Sequence, residues 1–400
     1  MSAHQALLGG VTAAKGFTAA GVHSGIKRSR KPDLALVLAD RPSAAAAVFT
    51  INRVQAAPVL ISKQRVRQGI ARAVLLNSGC ANCLTGPKGM QDARAISRAT
   101  AQALHLPESQ LLLASTGIIG RRLPVPRLVR AVPHLVASLS QAHHRHAAQA
   151  ILTTDLRSKE AAVELTVGGR RVRIGGMAKG SGMIAPSMAT MLCVVTTDAQ
   201  VAPALLARLL RQATERTFNR ISVDGDMSTN DCVFVLANGA SGASVTGAAA
   251  KAFGAALEAV CDRLARMIVE DGEGVARTMA LEVRGARTAR DAQLAARQVA
   301  FSPLVKTMLA GADPNPGRLA AAVGASPAVF DPDKLEIRIS GQTVVAQGTA
   351  LKIGKAVTRT LLARPHVEVV IDLHAGAGRG WMFTGDLTVE YIKINAGYAT

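Results

Sequence analysis

A glycine-rich segment runs directly into an apolar one at Thr190. The lead-in, residues 179–182, contains two glycines and a serine, whereas residues 190–197 are apolar on both faces, the pattern of a buried strand. In most proteins such a junction is simply a loop before a strand. The start of a rigid strand is also where a nucleophilic hydroxyl is held most firmly. Thr190 is therefore a candidate for covalent chemistry.

Three other segments resemble ligand sites but lack a residue that each site needs. Residues 224–235 begin like a calcium loop, but Thr229 stands where that loop requires glycine. Residues 348–355 approximate a phosphate loop, with a spacing one residue too long and Ala356 in place of serine or threonine. The histidine-rich segment 143–146 has no thiol or acidic partner close in sequence, so the sequence predicts no metal site.

The elements around these segments mix strands and helices without a regular alternation. Short apolar runs predict strands, apolar residues three and four apart predict helices, and alternation around two adjacent glycines predicts a hairpin. We predict strands over residues 33–38, 73–76, 190–197, 367–373 and 387–394, a hairpin over 163–174, and helices over 88–104, 202–217 and 248–270. A mixture without a strict βαβ rhythm favours a layered α+β architecture.

Composition and charge limit the function classes. The chain has 400 residues, a formal net charge of +20 and 3% aromatic residues. A basic surface can attract nucleic acid or small anions, but the scarcity of aromatics argues against single-stranded nucleic-acid binding. The sequence has no secretion-signal pattern and no apolar stretch long enough to span a bilayer. Five cysteines, an odd number, fit reduced thiols. We expect a cytoplasmic protein without a membrane or nucleic-acid partner.

Ordered motifs along the chain resemble the ornithine acetyltransferases of arginine biosynthesis, the ArgJ family. The resemblance is strongest at the junction, where residues 179–186 read Lys-Gly-Ser-Gly-Met-Ile-Ala-Pro and residues 188–192 read Met-Ala-Thr-Met-Leu. Further matches span essentially the whole chain, at residues 16–23, 77–79, 115–117, 153–155, 222–226, 228–231, 271–274, 302–307, 313–315 and 394–396. So many matches in one order leave coincidence negligible.

The resemblance implies a self-processing enzyme with a layered α/β sandwich of the threonine-nucleophile (DmpA/ArgJ-like) type. Members of the family cut themselves into two chains, which implies cleavage between Ala189 and Thr190. The alpha chain would comprise residues 1–189 and the beta chain residues 190–400, with a structural boundary inside the latter near 280–300. An assembly of two alpha and two beta chains, a heterotetramer, is also implied.

The catalytic groups implied by the resemblance are Thr190, Thr116 and Gly117. A threonine hydroxyl is a poor nucleophile and needs a base within reach, and the α-amine that cleavage frees on Thr190 would serve as that base. Both cleavage and acetyl transfer build negative charge on an oxygen, so hydrogen-bond donors must be waiting there. Thr116 and Gly117 are the implied donors.

The implied substrate contacts come from distant parts of the chain: Thr153, Lys179, Thr190, Glu273, Asn395 and Thr400. Lys179 can meet a carboxylate and Glu273 an ammonium group. The implied reaction moves acetyl from N-acetylornithine to glutamate through an acetyl-threonine intermediate, with no metal or organic cofactor. Some relatives also accept acetyl-CoA, and the sequence leaves that donor open.

Four positions depart from the family pattern without removing a chemical group that the mechanism needs. Cys80 and Ser187 stand where asparagine is usual, and Pro316 stands where tryptophan is usual. Val275 opens a Val-Ala-Arg run in place of Ala-Thr-Lys. Ser187 and Val275 are close to the implied site, so they bear on rate and substrate range.

Two other functions stay open at this stage. The first is an amidase or aminopeptidase that uses the same freed threonine with water as the acceptor. The second is a basic, non-catalytic nucleic-acid binder, against which the intact set of Thr190, Lys179 and Glu273 argues.

Overall fold

The computed structural model describes residues 4–185, 191–354 and 360–397. Four residues of the sequence predictions, Ser187, Ala189, Thr190 and Thr400, therefore lie outside the described residues. Within these ranges, two mixed sheets are covered by helices, which confirms the predicted layered α+β class.

The described strands are β1 Gln5–Leu7, β2 Phe17–Val22, β3 Leu34–Phe49, β4 Ile70–Cys80, β5 Leu111–Ile118, β6 Lys159–Val167, β7 Arg170–Lys179, β8 Leu192–Thr197, β9 Ile221–Ser222, β10 Cys232–Ala237, β11 Thr278–Ala286, β12 Glu336–Ile339, β13 Gln342–Ala346, β14 Thr349–Ala350, β15 His366–Asp372 and β16 Gly378–Gly385. The described α-helices are α1 Ala57–Val66, α2 Gly86–Ala103, α3 Val125–Ala137, α4 His144–Ala150, α5 Pro203–Arg216, α6 Ala249–Glu270, α7 Ala289–Phe301, α8 Pro303–Ala310, α9 Pro316–Gly324 and α10 Val389–Gly397.

The larger sheet follows the order β1-β6-β7-β8-β10-β3-β4-β5, and β2 pairs with β3 beside this path. Its central strands β8 and β10 are parallel and buried at every residue. Helices α5 and α6 pack on one face of this sheet, and α4 packs on the other. Because both faces are covered, these strands read as continuous apolar runs rather than alternating ones.

The smaller sheet follows the order β14-β13-β12-β15-β11-β16-β9. Helices α7, α8 and α9 pack against it to form a separate core. Apart from β9, this sheet comes from residues at and after Thr278. The division into chains at residue 189 and the boundary near 280–300 stay predictions.

The segment predicted as a strand over residues 387–394 is instead helix α10, so that prediction was wrong. In the described chain no strand pairs with this segment. The hydroxyl of Thr388 accepts a hydrogen bond from the backbone N–H of Tyr391 at 3.4 Å, as an N-cap residue does. Val389 and Ile392 are 69% and 59% exposed. Alternation alone does not show whether an apolar side is buried, and here it is not.

The other long elements lie where the sequence predicts them. Helices α5 and α6 match their predicted ranges to within one residue at each end. The β6–β7 hairpin turns at Gly168 and Gly169, whose φ angles of 54° and 76° suit glycine. All five cysteines are buried and free, as expected for reduced thiols. None of the helices described has the length and apolar character needed to cross a bilayer.

Candidate active site

The end of β7 and the start of β8 lie side by side. Lys179 is paired with Leu192 in the antiparallel register of these strands. The backbone N–H of Met191 donates to Oδ1 of Asp231 at 3.0 Å. Burial raises the pKa of the Asp231 carboxyl well above its usual range. The buried carboxyl of Asp231 therefore holds in place the residue that directly follows Thr190.

Lys179 is buried directly behind the hydroxyl of Thr153. Its Nζ atom donates to Thr153 Oγ1 at 2.8 Å and lies 3.6 Å from Oδ2 of Asp155. The Nζ atom of Lys159 lies 2.8 Å from the other carboxylate oxygen of Asp155. Burial alone would raise the pKa of Asp155, but the ammonium groups of Lys179 and Lys159 outweigh it and hold that pKa well below its usual range. Asp155 is therefore ionised.

The Asp155 carboxylate also holds two backbone segments in place, one at Thr153 and one directly after Lys179. It accepts hydrogen bonds from the backbone N–H of Thr153 at 3.0 Å and from that of Gly180 at 2.7 Å. Lys159 extends the network to Asp271, whose Oδ2 atom lies 2.6 Å from the ammonium group. Since Asp271 follows α6, this network brings the loop that contains Glu273 to the start of β6 and the end of β7.

Glu273 lies against the glycine-rich segment and against helix α10. Its backbone N–H donates to the carbonyl of Ser181 at 2.8 Å. A Cβ atom on Gly182 would lie 2.4 Å from Oε2 of Glu273, so any other residue here would displace the Glu273 carboxylate. The side-chain amide of Asn395 donates to the same Oε2 atom at 2.9 Å. Two predicted substrate contacts, distant in sequence, are thus in direct contact.

Ser181 connects the two halves of this arrangement. Its backbone carbonyl accepts from Glu273, and its hydroxyl lies 2.7 Å from the hydroxyl of Thr154. Thr154 is adjacent to Thr153, the partner of Lys179. The structure therefore brings together the four predicted substrate contacts that lie within its described ranges.

Thr116 and Gly117 lie near the end of strand β5, beside the end of β4. Gly117 pairs with Gly79 in parallel register and has a φ of 125°. A Cβ atom on Gly117 would lie 2.4 Å from the backbone carbon of Gly79. The close pairing and the positive φ together require glycine here. Thr116 is buried, with 3% of its surface exposed.

Asn230 ties this donor strand to the start of β10. Its side-chain amide donates to the carbonyl of Ser115 at 2.8 Å and to that of Ala81 at 2.7 Å. Asn230 directly precedes Asp231, which holds Met191. The predicted oxyanion donors and the residue after the predicted nucleophile are therefore anchored through two consecutive side chains.

Sequence reasoning missed Asp155 and Asp231 as residues that organise the site. Both belong to the motifs that carry the family resemblance, at 153–155 and 228–231. The available signal was an acidic residue beside segments that form buried strands, because a buried carboxylate needs partners. The partners themselves come from remote positions and could not be read from local spacing.

The three departures from the family pattern that are described have ordinary structural environments. The Cys80 thiol donates to the carbonyl of Arg121 at 3.3 Å. Val275 packs with the core that contains α5 and α6. Pro316 is the first residue of α9, where a missing backbone N–H costs no helical hydrogen bond.

The sequence of this chain is similar to the sequences of one protein family. A sequence model of the ArgJ family matches residues 18–400. The arginine biosynthesis bifunctional protein ArgJ of Synechococcus sp. is 44% identical over 412 aligned positions, which cover 100% of this chain and 99% of that protein. The protein of the same name from Geobacter sulfurreducens is 45% identical over 391 positions, covering 96% of this chain and 99% of its own length.

A solved structure of ornithine acetyltransferase from Mycobacterium tuberculosis, complexed with ornithine, is also similar. It is 43% identical, with a TM-score of 0.43, over a region that covers 46% of this chain and 98% of that one.

Proposed function

This chain belongs to the ArgJ family, and on that premise we propose that it transfers an acetyl group from N-acetylornithine to glutamate. The products are ornithine and N-acetylglutamate. The observation that carries the proposal is the family match over residues 18–400. The reaction is an acyl transfer in arginine biosynthesis and requires no metal or organic cofactor.

Maturation produces the nucleophile. The hydroxyl of Thr190 attacks the carbonyl carbon of Ala189, the peptide bond gives way to an ester, and water hydrolyses that ester. This releases a chain of residues 1–189 and leaves a free α-amine on Thr190. The position of Met191, held by Asp231 at 3.0 Å, supports the role of this junction because it restrains the attacking residue from one side.

Acetyl transfer then takes place in two steps. The Thr190 hydroxyl attacks the acetyl carbonyl of N-acetylornithine while its α-amine takes the hydroxyl proton and passes it to the departing amine of ornithine. The acetyl-threonine ester is next attacked by the α-amine of glutamate, which restores the free hydroxyl. Thr116 and Gly117 donate to the oxygen that becomes negative in both steps.

Substrate recognition depends on two charged groups of opposite sign. The Lys179 ammonium, with Thr153 in front of it at 2.8 Å, suits a substrate carboxylate. The Glu273 carboxylate, which contacts Asn395, suits the side-chain ammonium of ornithine. Thr400 is the remaining substrate contact of the proposed set.

The proposal also covers the location of the enzyme, its subunit composition and its acetyl donors. The mature enzyme is a cytoplasmic assembly of two alpha and two beta chains. N-acetylornithine is the acetyl donor, and acetyl-CoA is a second donor to be tested beside it.

Product analysis tests the proposed function. The purified enzyme is incubated with N-acetylornithine, with and without glutamate, and compared with Thr190→Ala. We expect N-acetylglutamate with glutamate present, and an acetylated beta chain with little free acetate without it. Steady acetate release that glutamate does not change would identify the amidase alternative, and no acetylated chain at all would reject the nucleophile.

A further inference from the structure

A basic cavity of about 340 Å³ lies beside Thr153. Its lining includes Lys27, Arg28 and Arg121, and no acidic residue is among the described residues that line it. Both arginine side chains are exposed, and within the described ranges neither guanidinium group forms an ion pair with a carboxylate. Three cationic groups therefore face one space without a carboxylate to neutralise the two arginines.

The loop that supplies Lys27 and Arg28 is held in place by a buried carboxylate. Asp33 accepts hydrogen bonds from the backbone N–H of Ser24 at 2.6 Å, of Ile26 at 2.8 Å and of Lys27 at 3.0 Å. The Nζ atom of Lys27 donates to the carbonyl of Pro32 at 2.8 Å. The cationic side chains thus project from an ordered loop, which lowers the entropic cost of binding an anion.

This loop packs directly on the strand pair that carries the predicted oxyanion donors. A Cβ atom on Gly79 would lie 3.0 Å from the side chain of Ile26 and 3.2 Å from that of Lys27. Gly79 is the register partner of Gly117. The cavity therefore opens next to the place where acetyl transfer is proposed to occur.

The proposed reaction must accept two amino acids whose side chains carry opposite charges. Glu273 suits the ammonium of ornithine but repels the side-chain carboxylate of glutamate, since like charges brought together cost several kcal/mol. Glu273 does not line the basic cavity. A second, cationic subsite would allow one nucleophile to serve both substrates.

We propose that the cavity between Lys27, Arg28 and Arg121 binds the side-chain carboxylate of the glutamate acceptor. This inference rests on the proposed function. A guanidinium group can bind a carboxylate through two parallel hydrogen bonds, which gives direction as well as attraction. Glutamate and N-acetylornithine would then share the reacting centre at Thr190 while their side chains occupy different subsites.

The test measures the second half-reaction separately from the first. Wild type, Arg28→Gln, Arg121→Gln and the control Arg290→Gln are first acetylated with N-acetylornithine, and acetylation is followed by the mass of the beta chain. Arg290 is an exposed arginine on α7, which packs on the smaller sheet, whereas the cavity adjoins β4 and β5 of the larger one. Glutamate or glutamine is then added at increasing concentration, and the rate of deacetylation is recorded. Because both cavity arginines are exposed, these variants should fold.

We expect Arg28→Gln and Arg121→Gln to raise the glutamate concentration at half-maximal rate about tenfold, equivalent to about 1.4 kcal/mol. Their preference for glutamate over glutamine should shrink, while their acetylation by N-acetylornithine and the behaviour of Arg290→Gln stay as in wild type. Unchanged glutamate dependence would overturn the inference, as would equal losses in both half-reactions.

Acetyl-CoA carries phosphates and is a second source of anionic groups for this cavity. In a parallel arm, acetyl-CoA replaces N-acetylornithine as the donor. Loss of acetylation by acetyl-CoA with unchanged glutamate dependence would assign the cavity to phosphate and overturn the inference. If wild type itself is never acetylated, the proposed function has failed, which is a distinct result.

Discussion

Lys179 and Asp155 form an ion pair, 3.6 Å apart, in which neither side chain is more than 2% exposed. Lys159 contacts the same carboxylate, and Asp271 provides Lys159 with a second one. Two cations and two anions are therefore buried together behind Thr153. Removing any one of these four charges would leave another buried without its partner. The stability of the strand ends and the geometry of the site therefore depend on the same side chains.

Asp155→Asn should destabilise the fold strongly. Removing one charge from a buried pair leaves the ammonium groups of Lys179 and Lys159 undercompensated, at a cost of about 3–5 kcal/mol. Urea unfolding in a Thr190→Ala background, in which the chain should stay uncut, measures the loss. The control is Asp262→Asn, which breaks a half-exposed pair with Arg266 on α6 and should cost less than about 1 kcal/mol. Equal losses in the two variants would contradict the prediction.

Thr116→Ala should slow acetyl transfer far more than it weakens substrate binding. Loss of one positioned donor to a developing oxyanion lowers turnover roughly a hundredfold to a thousandfold. Steady-state kinetics should show a lower kcat with KM nearly unchanged. Thr100→Ala, which removes a buried hydroxyl bonded to Ile96 within α2, is the matched control for general effects on folding. A higher KM with normal kcat would make Thr116 a binding residue instead.

Asp231→Ala should slow self-cleavage between Ala189 and Thr190. The backbone N–H of Met191 would lose its acceptor, and an unsatisfied buried donor costs about 1–3 kcal/mol, or roughly fivefold to a hundredfold in rate if the loss falls on the reacting geometry. A denaturing gel sampled over time after synthesis measures cleavage, and N-terminal sequencing should place the new terminus at Thr190.

Asp231→Asn provides the conservative control for this effect. The amide oxygen of asparagine can accept the same hydrogen bond from the Met191 N–H, and it lacks the negative charge that burial disfavours when it raises the pKa of Asp231. Cleavage in Asp231→Asn should therefore be close to that of wild type. Complete loss of cleavage in this variant would show that a charged carboxylate is required.

The sequence predicted which side chains lie close together better than it predicted the ion pairs and hydrogen bonds between them. Thr153, Lys179, Glu273 and Asn395 were proposed together, and they lie together, since the motifs that contain them converge where β6 begins and β7 ends. Their substrate roles stay predictions. Asp155 was missed because its partner Lys159 is itself held by Asp271, 112 residues further along the chain, and no local spacing reveals that contact.

In the fold, too, features that depend on a segment's own sequence were predictable, and features that depend on distant parts of the chain were not. Strand β8 was predictable because strands buried on both faces have continuous apolar sequences. Helix α10 was not, because alternation of apolar and polar residues from 387 to 394 says nothing about whether a neighbouring strand offers an edge. The basic cavity was likewise hidden, since Arg28 and Arg121 are far apart in sequence and meet only where β4 and β5 end.

The affinity of the acetylated enzyme for glutamate should fall as the pH rises through about 8. Burial lowers the pKa of Lys27 to about 8, the negative charges of Asp33 and Asp155 raise it, and the positive charges of Lys179 and Lys31 lower it. Below this value Lys27 is charged, and above it the cavity loses one cation. The glutamate concentration at half-maximal rate, measured across this pH range, should therefore increase.

Lys27→Arg separates this effect from other groups that titrate in the same range. Arginine keeps its charge at every pH used here, so the glutamate dependence should become nearly independent of pH. The α-amines of the glutamate substrate and of Thr190 titrate in both the wild-type and the Lys27→Arg assays. They therefore affect the pH dependence of the two proteins equally. An unchanged increase in Lys27→Arg would assign the effect to those amines and not to the cavity.

Glu273→Gln should impair the ornithine half-reaction more than the glutamate half-reaction. N-acetylornithine brings a side-chain ammonium to the site, whereas glutamate brings a carboxylate, so one acidic residue cannot favour both side chains. A hydrogen bond between charged groups contributes about 1.5–3 kcal/mol, so the loss should be roughly tenfold to a hundredfold in the first step. The amide keeps an oxygen that can accept from Asn395, whose bond to Glu273 is 2.9 Å, so the local structure should survive.

Single-turnover measurement of each half-reaction decides this prediction. Glu258→Gln is the matched control, because Glu258 contacts only an exposed arginine, Arg216, among the ion pairs described, and it should leave both steps unchanged. Equal losses in both steps of Glu273→Gln would indicate that the glutamate α-amine also uses this carboxylate. A loss confined to the glutamate step would reverse the assignment, because the acidic group would then act on the acceptor rather than on the ammonium of the donor. The charge of Glu273 thus distinguishes the two substrates only if the first step carries the larger loss.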